Sequence, residues 1–168
     1  MKQKLFDKLV KNLEDLTKNY RLLLDCVRKE KDILIASQIE KLNENNVLKE
    51  QLLMRIKSLD GLRVNYASEL AQLIGADSAF PRLLEISQKM GGPEGDRLRS
   101  IHSTLELITN RLVQINKDNA QYAESGIKIV TSAMENLKEI LMGQKTYKKK
   151  GGYQQGPDTS GHFVSQEA

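Results

Sequence analysis

No glycine or proline occurs before Gly61, and an unbroken run of that length is hard to read as a sheet. Hairpins need turn chemistry every eight to twelve residues or so. The same stretch is rich in Leu, Lys, Glu and Gln, residues that lose little on entering a helix, together with Asn. Across the rest of the chain the 11 Gly and 3 Pro lie almost wholly between periodic segments. The fold class this predicts is all-α.

Hydrophobic spacing divides the chain. Leu5, Leu9, Leu13, Leu16, Tyr20, Leu23 and Val27 recur in steps of three and four, one stripe of an amphipathic helix. Continued in phase, that stripe turns polar at Glu30 and again at Ser37, Lys41 and Glu44. A new stripe starts at Leu48 and runs through Leu52, Ile56, Leu59, Tyr66, Leu70 and Leu73. Ser37 followed by Glu40 fits a capping box, so a helix start is expected there, and Gly75 stands where a C-cap glycine would end it. Pro81, Leu83, Leu84 and Ile86 suggest a short helix over about 79–90, closed by Gly91 and Gly92. Pro93 then suits the first turn of the next helix.

From Leu98 a three-four register runs through Ile101, Leu105, Ile108, Leu112, Ile115, Asn119, Tyr122, Gly126, Ile129, Ala133 and Asn136 to Ile140. At 1.5 Å per residue the three long helices measure roughly 46, 57 and 73 Å, so the last is expected to outrun its partners. One residue after each stripe position, the early residues include Arg99, His102, Glu106 and Asn116. The late ones are Ile127, Val130, Met134, Leu137 and Leu141. The apolar face therefore widens after about Ala120, and a second stripe asks for a second neighbour. Three occupants fit that requirement: an earlier helix folding over it, a second copy of the chain, or an amphipathic segment of another protein. Asn119 and Asn136 interrupt the main stripe, where polar residues usually fix register at a cost in stability.

Composition narrows the function. Aromatic residues make up 5% of the chain and Trp is absent, so the walls and convergent polar groups of a catalytic pocket are scarce, and no enzyme is expected. One cysteine, Cys26, cannot form an intramolecular disulfide, and with two His there is no zinc site of the usual ligand count. Cys26 reads as a small buried hydrophobe, and His102 and His162 read as ordinary solvated residues. Glu14, Lys18, Lys29 and Glu30 read as a solvated helix face. The Gly91–Gly95 stretch lacks the strand and lysine of a phosphate loop and reads as an interhelical turn. No cofactor or metal is expected. The net charge of +4 resides in tail lysines, Lys145, Lys148, Lys149 and Lys150, so nucleic acid is not an expected partner. The opening residues alternate charge with apolar side chains, unlike a signal peptide, and no run approaches the roughly 20 apolar residues of a membrane span. Cytoplasmic residence is the expected localisation.

Three features carry a family resemblance. The first is a leucine-rich opening helix leading into Ile39, Leu42, Asn45, Lys49, Glu50, Leu52 and Leu53. The second is Asn116-x-x-Asn119 within the last helix, followed by the apolar Ile127–Leu141 segment. The third is Tyr147-Lys148-Lys149-Lys150-Gly151. In this order the features resemble the FlgN-type flagellar export chaperones. The resemblance implies that the long C-terminal helix binds the helical C-terminal end of hook-associated client proteins, through Ile127, Val130, Met134, Leu137 and Leu141. It also implies that Tyr147 and Gly151 serve docking on the cytoplasmic domain of the export gate. The expected architecture is an elongated antiparallel bundle of three long helices and one short helix. A helical domain over 1–143 would be followed by a flexible tail over 144–168. The competing expectation is a homo-oligomeric coiled-coil scaffold.

Overall fold

The computed structural model describes the backbone of residues 1–142 and the side chains of residues 1–138. Within them the chain forms α1 (Lys2–Ile35), α2 (Ile39–Ile74), α3 (Leu83–Met90) and α4 (Gly92–Met142), so the all-α expectation of three long helices and one short one holds. The chain divides into two compact units, Met1–Ala123 and Glu124–Ala168.

In the first unit the stripe of α1 is the centre of the core. Leu5, Leu9, Leu13, Leu16, Leu23 and Val27 are buried, and Tyr20 packs against them partly buried. Each fully buried aliphatic side chain contributes about 1.5–3 kcal/mol of transfer free energy. Polar pairings fix the helix directions. The Asn12 amide donates to the Leu59 carbonyl at 3.1 Å, and Asn45 pairs with Cys26, so α2 runs antiparallel to α1. Arg97 meets Glu14 at 2.7 Å and Asn119 meets Val27 at 2.9 Å, so the first part of α4 runs parallel to α1.

The α2 stripe is displaced from the spacing expected. Leu52, Ile56 and Leu70 are buried, but Leu48 and Leu73 stand 46% and 47% exposed. Asn45, Ala67 and Ala71 take inward places instead, because the helix surface that faces α1 passes to one side of residue 48.

The joint between α1 and α2 is tighter than the polar run suggested. Only residues 36–38 lie outside the helices, and the capping box is not formed. Ser37 has φ +53 and the N-cap is Gln38, without a side-chain cap bond. Ser37 instead closes α1 with a Schellman motif. Its N–H donates to the Leu34 carbonyl at 3.1 Å, and the Gln38 N–H donates to the Ile33 carbonyl at 3.2 Å. Gly75, at φ +71, ends α2 as expected.

The α2–α4 connection is ordered by Asp77, whose carboxylate accepts from the Ala79 and Phe80 N–H groups. This turn delays the short helix to Leu83, two residues past Pro81. Pro93 sits in the first turn of α4. Gly95 must be glycine because a Cβ there would lie 2.3 Å from the Ser87 carbonyl oxygen.

Candidate functional site

Two places carry unusual chemistry, one in each unit. In the first unit, residues from three helices form a polar cluster at the edge of the core. Val27 is fully buried on α1, and three positions further along the same stripe stands Glu30. Its carboxylate accepts both Lys49 contacts, at 2.8 and 3.1 Å. The two side chains are only 13% and 22% exposed. Glu30 therefore does not belong to a solvated face. Its position on the inward stripe was the available sign, since a charge in phase with a core stripe must find a partner.

Around this pair the asparagines close the network. Asn119 donates to the Val27 carbonyl at 2.9 Å and, more weakly, to Glu30 at 3.5 Å. Asn116 accepts from Lys49 at 3.4 Å. On the α1–α2 side, the Cys26 thiol donates to the Asn45 side-chain oxygen at 3.2 Å, and the Asn45 amide donates back to the Cys26 carbonyl at 3.2 Å. Burial pushes the thiol pKa up, Lys49 lowers it in part, and Glu30 adds to the rise. Cys26 is thus the expected small buried residue, with a hydrogen-bonding role its sequence context did not reveal. Asn119 is buried and donates across the interface to α1, the kind of directional contact by which a polar stripe residue fixes register. His102 lies on the flank of α4, 3.9 Å from Glu106, as a surface side chain. Among the described residues no group of His, Cys, Asp and Glu is arranged to hold a metal.

In the second unit the helix from Glu124 to Met142 presents the second stripe. Ile127, Val130, Met134 and Leu137 are 67%, 59%, 67% and 55% exposed, and Ile129 is 70% exposed. Lys128 pairs with Glu124 at 2.8 Å on the polar side. The Leu141 side chain, Tyr147 and Gly151 lie outside the described residues. Among those described, no helix is long and apolar enough to cross a membrane.

The described residues thus form an all-helical protein with a polar clasp at the edge of its core and an exposed apolar helix face. Residues 1–155 match the family model described as FlgN protein, and the chain belongs to that family. It is a family of flagellar export chaperones, which bind flagellar client proteins. Neither the curated proteins nor the solved structures contain a match to the chain. Four residues of the family-like pattern, Asn45, Lys49, Asn116 and Asn119, converge in the clasp, whereas Ile39, Glu50 and Leu53 are exposed.

Proposed function

We propose that this chain is a cytoplasmic secretion chaperone without catalytic activity, which binds the C-terminal helical segment of hook-associated proteins. It keeps that segment from assembling prematurely and delivers it to the export gate. The observation that carries this reading is the exposed run Ile127, Val130, Met134 and Leu137 at three-four spacing on one helix, with Leu141 continuing it in sequence. An apolar stripe of this kind suits helix-in-groove recognition, and Met134 supplies an adaptable contact. Binding hides the apolar surface of client and chaperone together. Release follows the binding equilibrium, with no nucleotide step. Tyr147 and Gly151 are proposed as the gate-docking element, an aromatic anchor that flanking lysines steer toward an acidic surface.

The test is calorimetric titration of Val130→Asp/Leu137→Asp against a purified hook-associated protein. Client binding is expected to be lost while helical circular dichroism is retained, because two charges on an exposed face cost the fold little but are desolvated without partners in a complex. Loss of helicity instead would make the stripe part of the fold. A stable oligomer of the wild-type chain, dissociated by the same substitutions, would favour the coiled-coil scaffold. Tyr147→Ala is expected to leave client affinity within about twofold, some 0.4 kcal/mol, and to weaken binding to the gate. Equal loss for both partners would remove the separation of roles.

A further inference from the structure

Resting on that reading, we infer that the client presents two helices, not one, to the helix Glu124–Met142. The argument is the width of the apolar face. At about 100° per residue, the exposed residues from Ile129 through Ala133, Gly126, Leu137, Val130 and Met134 to Ile127 sweep an arc of about 160°. All of them are exposed. The rest of the circumference through Lys138 is wholly polar: Glu124, Ser125, Lys128, Thr131, Ser132, Glu135, Asn136 and Lys138. No apolar residue strays into the polar side, and no charge interrupts the apolar one.

The first unit supplies the scale for what such an arc can bury. On α1 the buried residues extend from Cys26 round to Val10, an arc of about 200°, and that helix is held by both α2 and α4. On α4 the packed residues from Ile115 round to Leu98 cover only about 100°, yet they already lie on a segment that contacts both α1 and α2. A single neighbouring helix covers a two-position seam of the coiled-coil kind, narrower than either arc. One client helix centred on Val130 and Leu137 would leave Ile129 on one side, and Ile127 with Met134 on the other, at the edge of water. Two client helices, one along Ile129 and Ala133 and one along Ile127 and Met134, complete a three-helix packing unit over about 15 Å of α4. The occupant is therefore a pair of short amphipathic helices from one client molecule, each offering about three turns of apolar seam.

The experiment compares two single substitutions, Ile129→Gln and Met134→Gln, which lie at exposed positions and keep a good helix former in place. Each is titrated calorimetrically against a purified full-length hook-associated protein and against a peptide of its C-terminal helix alone. Both variants are expected to weaken the full-length client at least fivefold. The peptide is expected to bind wild type at least tenfold more weakly than the full-length client does, and to sense only one of the two substitutions. Light scattering is expected to give a one-to-one complex. A silent Ile129→Gln or a silent Met134→Gln with the full-length client overturns the two-helix occupant and leaves the chaperone reading standing. A complex containing two copies of this chain also overturns it, because the second stripe is then covered by the other copy. Failure of the wild-type chain to bind any hook-associated protein overturns the proposed function itself, and this inference with it.

Discussion

Lys49 and Glu30 meet at 2.8 Å across the α1–α2 seam, both largely withdrawn from solvent, and Asn116 and Asn119 of α4 contact the same pair. The ion pair thus serves as a register mark for three helices at once. A shift of α4 by one turn would move Asn119 about 5.4 Å from both the Val27 carbonyl and Glu30. The apolar seam of Leu105, Leu112 and Ile115 tolerates such sliding far better than a set of directional bonds does.

Removing one partner of this pair should cost more than removing both. Glu30→Leu strands the Lys49 ammonium and takes an acceptor from Asn119, and should destabilise the first unit by about 2 kcal/mol, less than a fully buried pair because both groups retain some solvent contact. Adding Lys49→Met should recover part of that loss. Urea unfolding of the single and double variants measures it, and a double variant less stable than Glu30→Leu alone would contradict the account.

The two stripe asparagines should respond oppositely to leucine. Asn119→Leu loses the bonds to Val27 and Glu30, and should lower stability by about 1 kcal/mol. That loss is limited because the Asn119 Oδ1 is buried without a hydrogen bond among the described residues. Asn136 is exposed, so Asn136→Leu should gain a few tenths of a kcal/mol from helix propensity. Thermal unfolding followed by circular dichroism separates the two, and a higher melting temperature for Asn119→Leu would show that its bonds contribute nothing net.

Glycines within helices give a second contrast. Gly61 lies inside α2, and an alanine methyl at that position would have nothing within 4 Å of it, so Gly61→Ala should stabilise by about 0.5–1 kcal/mol. Gly95→Ala should destabilise by about 1–3 kcal/mol despite the same propensity gain, because the methyl group meets the Ser87 carbonyl. Paired denaturation curves test both signs.

Alkaline pH should weaken the fold through Cys26. Burial raises its pKa in the folded state above the ordinary value of 9.0, so the unfolded chain loses its thiol proton first. The thiol's contribution is fully present below pH 9 and drains as pH rises through that value toward the folded one. Tyr20 acts in the same sense above its ordinary value of 10.0, through burial and the neighbouring Asp60 charge. Between pH 9 and 10, Cys26→Ala should therefore show a shallower loss of unfolding free energy than wild type. An unchanged slope would mean that the thiol titrates alike in both states.

Helix identity followed from local rules alone. The breaker-free opening, the stripe of α1 and the glycine after Ile74 are readable because helix periodicity and caps depend on residues a few positions apart. The exposed run from Ile127 was legible for the same reason. What only tertiary structure decided were the pairings across many residues: that Glu30 points inward to Lys49, that Asn119 reaches Val27, and that Cys26 and Asn45 exchange hydrogen bonds. In sequence Glu30 looks solvent-facing, Asn119 looks like a break in its stripe and Cys26 reads as a buried hydrophobe without a bond, since each partner sits on another helix and helix periodicity does not show which residues of two helices stand opposite one another. The Ser37 turn escaped for a related reason: serine favours N-caps locally, but two backbone bonds closing α1 and the packing of α2 on α1 held it at φ +53.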